Sequence, residues 1–230
     1  MFAIKFAITQ PKLFYGLQEL SSVMSRVLLP HDAKAGPTKP EVRAVLCSKL
    51  DLGPTDHFTE VGSCTGAVTI EAAQRAGRVT ALERKSQRLD VTRKNLAANN
   101  ATDGVDLREA EAPDGLPADA DVLFIGGSRN YEAILDHAVE TGIGRVVMNV
   151  SRLEVAGAAT EAFRDRNLLD EVVQFQVSHG YDLAGATSFN SDNPVYMLVG
   201  GTGEVAADGG EPNDVRRTSS EQRSDGRNRG

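Results

Sequence analysis

Between residue 57 and residue 200 the chain alternates short apolar runs with stretches of helical spacing, and that alternation most restricts its fold. His57–Val61 reads as a strand ending at Gly62, and the Ala-rich stretch 65–76 as a helix. Arg78–Leu82 is a second strand, followed by a helix over 86–99 that Ser86 is placed to cap. A weak strand lies at 105–107. Val122–Ile125 is apolar throughout, the pattern of a strand buried on both faces. A helix over 131–140, the strand Arg145–Val150 and a helix over 153–166 follow. Two last strands, 172–177 and 195–199, are separated by a loop of Gly, Ser, Asn and Asp with no helix between them. Right-handed strand–helix–strand crossovers build a parallel sheet covered on both faces. The missing last crossover makes the final strand antiparallel, inserted beside its predecessor. The expected fold class is therefore α/β: a doubly wound, mostly parallel seven-stranded sheet with an antiparallel last strand. Such sheets bind ligands at the carboxyl ends of their strands, near the point where strand order reverses.

The flanks read differently. Residues 1–30 form an N-terminal extension in which Leu13, Leu17, Leu20, Val23 and Met24 have the spacing of a short amphipathic helix. Residues 201–230 hold six Gly, six acids and five Arg with almost nothing large and apolar, so this tail is expected to be disordered. The folded domain is thus expected over 31–200. No apolar run approaches the roughly 18–20 residues of a membrane span. Lys5 interrupts the apolar start, which reads as neither signal peptide nor anchor. Cys47 and Cys64 are too few for a disulfide framework or a thiolate zinc site, and His31, His57, His137 and His179 lack metal-binding spacing. No bound metal and a cytoplasmic location are expected. Thirty-two acids against twenty-five bases give a net charge of −7, which weighs against a protein that coats nucleic acid.

The chemistry is concentrated after the first strand, in Glu60-Val61-Gly62-Ser63-Cys64-Thr65-Gly66. Glycine there permits a tight turn and a close backbone approach to a ligand. Glu83, at the end of the second strand, is placed to accept both hydroxyls of a ribose. A dinucleotide fingerprint fails at Cys64 and Ala67. The acid-x-Gly-x-Gly-x-Gly pattern of S-adenosylmethionine sites fits better, with Gly62 and Gly66 as its outer glycines. The third strand leads to Glu109-Ala110-Glu111-Ala112-Pro113, where an acid, with Glu111 the candidate, can accept the exocyclic amine of adenine; taken alone the segment also reads as an exposed acidic turn.

With these stand Ala35-Gly36-Pro37-Thr38-Lys39-Pro40-Glu41-Val42-Arg43, Ala67-Val68-Thr69-Ile70-Glu71, Glu111-Ala112-Pro113, Phe124-Ile125-Gly126-Gly127-Ser128 and Asn193-Pro194-Val195. In that order the chain, from about His31 to Gly200, resembles the archaeal type of cobalt-precorrin carbon-15 methyltransferase (decarboxylating). The resemblance implies a Rossmann-like methyltransferase fold and methyl transfer from S-adenosylmethionine to a meso carbon of a cobalt-bound tetrapyrrole. It also implies loss of carbon dioxide from an acetate side chain, in anaerobic cobalamin synthesis, by a homotetramer. Thr38, Gly62, Ser63, Cys64, Thr65, Gly66, Glu83 and Ala112 are the cofactor residues the resemblance implies, and Glu111 joins them from the strand-end reading above. The chain departs from the pattern with Glu60 for Asp, Cys64 for the middle Gly, Ala110 for a Gly and Arg129-Asn130 for Gly-Gly.

A sulfonium methyl donor is already activated, so catalysis needs alignment more than a strong base, and no catalytic dyad is expected. The substrate's carboxylates call for cations. Lys39, Arg43, Arg129 and Arg152 are the candidates at the carboxyl edge of the sheet, with His31 and His179 as possible acids or bases. The residues alone leave open a methyltransferase acting on RNA or protein, or a homologue that binds S-adenosylmethionine without turnover.

Overall fold

The computed structural model describes residues 27–34 and 36–203. In chain order the elements are α1 (Pro40–Leu50), β1 (His57–Val61), α2 (Ala67–Ala73), β2 (Arg78–Leu82), α3 (Ser86–Ala98), β3 (Val105–Arg108) and β4 (Val122–Ile125). They continue with α4 (Tyr131–Thr141), β5 (Arg145–Val150), α5 (Leu153–Asp165), β6 (Leu169–Phe175), β7 (Ser178–Leu183), β8 (Ala186–Ser191) and β9 (Val195–Gly200). Seven strands form one sheet in the order β3-β2-β1-β4-β5-β9-β6. The ladders among β1 to β5 are parallel, and β9 runs antiparallel to both β5 and β6. The expected fold class is the one found, including the antiparallel last strand. Strand order reverses between β1 and β4, so a crevice opens at their carboxyl tips.

Alternation along the central strands distributes the core. On β4, Val122 and Phe124 pack with Val42, Leu46 and Leu50 of α1 and Val68 of α2. Leu123 and Ile125 point the other way, against Ile134 and Leu135 of α4 and Phe163 of α5. Val147 and Met197 join the first group, and Val146, Met148 and Leu198 the second. Adjacent residues on one strand thus serve opposite layers, as period-two geometry requires.

Several sequence expectations need correcting. The stretch 178–191 is a β-hairpin, not a loop. Its two-residue turn, Ala184-Gly185, has both φ angles positive, the conformation that matches strand twist. That turn normally announces itself as Asn-Gly or Asp-Gly, and Ala184 hides it. Helix α1 was not anticipated, although Pro40 occupies its first turn and Val42, Leu46 and Leu50 recur every fourth residue. The N-cap of α3 is Lys85, with Ser86 already helical and making no cap. Helix α2 is shorter than the expected 65–76. The packed domain begins by Val27, which lies with Leu29 against Leu96 and Ala101. At the other end Gly201 donates its N–H to the Leu168 carbonyl at 3.0 Å. The expected helix near Leu13 and nearly all of the expected tail lie outside the described residues.

Two polar side chains of α3 bind distant segments together. Asn95, fully buried, donates to the carbonyls of His31 and Thr65, each at 2.8 Å, and accepts the His31 N–H at 3.0 Å. Thr92 donates to the Cys64 carbonyl at 3.0 Å, and its hydroxyl lies 3.1 Å from that of Ser63. Replacing Asn95 by Ala takes the partner from the buried Thr65 carbonyl and unties the part-buried N–H and carbonyl of His31. The expected loss is roughly 2–3 kcal/mol in urea unfolding, against less than about 1 kcal/mol for Arg93→Ala at the exposed pair with Asp90.

Candidate functional site

The turn after β1 owes its shape to left-handed backbone. Gly62 has φ 88° and Gly66 has φ 77°. A Cβ on Gly66 would meet the Thr92 methyl at 3.0 Å, so only glycine fits between the turn and α3. Cys64 also has positive φ, 53°, where glycine is favoured. Its thiol points toward the Gly36 carbonyl, 3.9 Å away, and does not fill the space above the turn.

Two cavities meet there. The smaller, about 280 Å³, is bounded by Glu83, Glu111, Ala112 and Arg129. The larger, about 600 Å³, is bounded by Thr38, Lys39, Glu60, Ser63, Asn149 and Asp192, among others. Gly62, Cys64 and Gly126 line both. The floor of the larger cavity is one face of the sheet: Glu60 on β1 is level with Phe124 on β4, which is level with Val147 on β5, two residues before Asn149. Its rim combines the segment before α1 with the end of the β7–β8 hairpin. Lys39 and Asp192 form an ion pair across it, and the His179 imidazole lies 3.4 Å from the same Asp192 carboxylate. Lys39 and its neighbour His179 hold that carboxylate below the usual aspartate range.

Two carboxylates serve this place differently. Glu83 is buried, and one of its oxygens accepts the Lys85 N–H at 3.0 Å, which fixes it at the mouth of the smaller cavity. Glu60 is fully enclosed and accepts a hydrogen bond from Thr69 at 2.5 Å. Burial pushes the Glu60 carboxyl up from its ordinary 4.5 to about 7, a rise that the Thr69 hydrogen bond opposes and the negative charge of Glu83 assists.

The expected site residues divide. Thr38, Gly62, Ser63 and Cys64 border the larger cavity. Glu83, Glu111 and Ala112 border the smaller one. Thr65 and Gly66 stand behind this lining: Thr65 is buried with its carbonyl on Asn95, and Gly66 lies against Thr92. Lys39 reaches the larger cavity, where a substrate clamp is expected. Arg129 lies at the smaller cavity instead, with its Nε 3.5 Å from Glu111, while Asn130 donates to the Ala112 carbonyl at 3.1 Å. Arg43 lines neither cavity. It is buried, donates to the Thr38 carbonyl at 2.6 Å and pairs with Glu71 at 3.2 Å, so it shapes the segment before α1 from beneath. Arg152, the exposed N-cap residue of α5, also lines neither. Of the two histidines, His31 is held through its backbone by Asn95. Sequence reasoning passed over Asn149, Ser151 and Asp192. Register on β5 and the ends of the hairpin bring them to the cavity, and neither was legible as a motif.

The fully ionised, folded protein must keep the Glu60 charge away from water. Between pH 4.5 and about 7 the folded carboxyl keeps its proton and the unfolded one loses it, so stability falls as pH rises through that window. Glu60→Gln removes the charge and retains an acceptor for Thr69. The variant is expected to be more stable than wild type by up to about 3 kcal/mol at pH 8, with the difference vanishing near pH 4.5. Urea titrations at the two pH values measure it.

Comparison with known proteins agrees with this architecture. Residues 30–200 match the precorrin methyltransferase domain family. A Halobacterium salinarum protein named "Probable cobalt-precorrin-6B C(15)-methyltransferase (decarboxylating)" is 75% identical over 186 residues, which are 80% of this chain and 100% of that protein. The crystal structure of precorrin-6y C5,15-methyltransferase from Geobacter metallireducens is 36% identical, with a TM-score of 0.68, over 74% of this chain and 94% of that one. The structure of precorrin 8w decarboxylase from Methanobacterium thermoautotrophicum is 31% identical, with a TM-score of 0.68, over 72% of this chain and 92% of that one. A sheet with this strand order, a glycine turn at its switch point and a match spanning the whole folded region lead to one assignment: the chain belongs to the precorrin methyltransferase family.

Proposed function

We propose that this protein transfers a methyl group from S-adenosylmethionine to carbon 15 of a cobalt-precorrin of the 6B type, with decarboxylation of an acetate side chain, in anaerobic cobalamin biosynthesis. The observation that carries the reading is the pair of cavities joined at Gly62, Cys64 and Gly126. The smaller has the groups a nucleoside needs. Glu83 accepts from the ribose hydroxyls, Glu111 faces the adenine edge, and Ala112 supplies apolar contact. Arg129 and Asn130 brace Glu111 and the Ala112 carbonyl and so shape that subsite. Gly62 to Gly66 give the backbone turn against which the amino-acid tail lies, with Thr38 opposite. The residues present therefore fit the cofactor.

Bound S-adenosylmethionine supplies a methyl group on a sulfonium, already activated for transfer to carbon. The protein contributes position. Thr92 and Asn95 fix the turn, Phe124 and Gly126 form the floor beneath the reacting atoms, and Lys39 at the rim pairs with a carboxylate of the substrate in exchange for Asp192. Aligning two bound reactants removes much of the entropic part of the barrier. The charges balance without an added base: the methyl arrives with a positive charge, a carboxylate leaves as neutral carbon dioxide, and the proton given up by the methylated carbon matches the one that the former acetate methylene takes up. Burial favours the neutral form of Glu60, and a cationic cofactor beside it would draw the carboxyl back toward its charged form.

The partner is thus a cobalt-bound tetrapyrrole, not nucleic acid or a membrane. Among the described residues no helix is long and apolar enough to cross a membrane. A cytoplasmic homo-oligomer, a tetramer by family resemblance, fits the hairpin, where Tyr181, Leu183 and Phe189 are exposed, Phe189 at 67%. A two-stranded hairpin is marginal alone and gains from being covered.

Two measurements test the reading. Incubation with cobalt-precorrin-6B and S-adenosylmethionine should give a product that has gained one methyl and lost one carbon dioxide by mass spectrometry. An unchanged substrate mass would refute the assignment. Glu83→Ala should weaken cofactor binding in calorimetry by roughly 1–3 kcal/mol, because the ribose loses a charged acceptor. Wild-type affinity in that variant would exclude the ribose role.

A further inference from the structure

Asn149 lies near the carboxyl end of β5, on the sheet face that floors the larger cavity. Neither its amide oxygen nor its amide nitrogen has a hydrogen-bond partner among the described residues, and both atoms are sealed from solvent. Because both are unpartnered, exchanging oxygen and nitrogen by rotating the amide changes nothing. Native proteins satisfy nearly all buried polar side-chain atoms, so an amide with none satisfied is retained for a partner that comes from outside the chain.

Its neighbours indicate the kind of partner. Ser151, two residues on and on the same face, Ser191 and Asn193 border the same cavity. These are neutral; the acids of the same lining are Asp192, paired with Lys39 at the rim, and Glu60, two strands away on β1. The cation at this end, Lys39, stands at the rim and not on the floor. Such a set hydrogen-bonds a carboxylate and leaves its charge in place, whereas a buried arginine would neutralise it. Asn149 is also remote from the nucleoside. Two strand spacings separate β5 from β1, about 10 Å across the sheet. Glu83 and Glu111 lie beyond β1 on the opposite side of the joint at Gly62 and Gly126.

We propose that Asn149 is the floor residue that seats a carboxylate arm of the tetrapyrrole, its side chain turning from its covered position into the cavity so that the amide N–H donates to that arm. The proposal rests on the methyltransferase reading above and adds a specificity-determining residue to it. The cofactor's own amino-acid carboxylate is the other source of this chemistry, and the test separates the two.

Asn149→Val removes both polar atoms with little change in volume. Asn149→Asp keeps the shape and places a negative charge against the arm. In thermal unfolding without ligand, Asn149→Val should melt at the wild-type temperature or about 2–4 °C above it, since an unsatisfied amide has been removed. A structural amide would give a lower melting temperature instead. In calorimetry both variants should bind S-adenosylmethionine within twofold of wild type. Against cobalt-precorrin-6B, KM should rise at least tenfold for Asn149→Val and further for Asn149→Asp. A clear drop in melting temperature for Asn149→Val, an unchanged KM, or a tenfold loss of cofactor affinity would each overturn the assignment. A wild-type protein that binds the cofactor but does not convert cobalt-precorrin-6B would overturn the functional reading and this proposal together. Normal wild-type turnover with an indifferent Asn149→Val would overturn this proposal alone.

Discussion

The site depends on how one turn of backbone is held. Between β1 and α2 the chain passes through left-handed conformations at Gly62, Cys64 and Gly66; the Gly66 N–H donating to the Ser63 carbonyl at 2.7 Å, and the Gly62 and Ser63 N–H groups donating to the Leu82 carbonyl, help to maintain them. Thr92 and Asn95 do so from α3, by accepting or donating hydrogen bonds at Ser63, Cys64 and Thr65. The same Asn95 holds the backbone of His31, so the segment leading to Thr38 and Lys39 is registered against the turn. One helix face therefore sets the distance between the two walls of the larger cavity. Both walls are loops, and a loop is precise only where its backbone polar groups have fixed partners.

A second consequence concerns charge. Three acids face the two cavities from the sheet or from the ends of its strands: Glu60, Glu83 and Glu111. They differ in what compensates them. Glu111 is partly exposed and has Arg129 and Asn130 beside it. Glu83 is buried but accepts a backbone N–H. Among the described residues Glu60 has Thr69 as its partner and no cation, and its carboxyl is the one pushed up to about 7. An acid that is uncomfortable when ionised in the empty site favours a cationic ligand, because the ligand's charge offsets a desolvation cost the fold has already incurred. In the proposed function that asymmetry orients a molecule with a cationic centre at one end and a neutral nucleoside at the other.

Much of this was legible in the sequence, and the reason is local. Strand–helix alternation, the apolar run at Val122–Ile125 and the glycines after β1 are properties of contiguous residues, and they specified the sheet, the switch point and the turn. Glu83 and Glu111 were readable because strand ends can be counted. What escaped depended on distant pairing. The hairpin carrying Asp192 was hidden by Ala184 in a turn position usually held by Asn or Asp. Arg43 resembled a substrate clamp by its place in a motif, but Glu71, twenty-eight residues away, takes it into the interior. Asn149 lies in a strand that reads as buried, and only the ladders to β4 and β9 show that its face turns from core to cavity within two residues.

The larger cavity joins parts of the chain that fold for different reasons. Its floor is the end of a core layer. Val147 belongs to the apolar cluster beneath α1, and Asn149 continues the same row past the point where α1 covers it. Its rim is built from the segment before α1 and from Ser191 to Asn193 after the hairpin, tied by Lys39 and Asp192. Lys39 of that pair is half-exposed while the paired oxygen of Asp192 is covered, so a ligand's carboxylate arriving from the cavity can take the place of Asp192 on the lysine. A rigid floor with an exchangeable rim suits a large anionic substrate. In the proposed function the floor determines which part of the macrocycle lies over the methyl donor, and the rim opens by exchanging one carboxylate partner of Lys39 for another without disturbing the core.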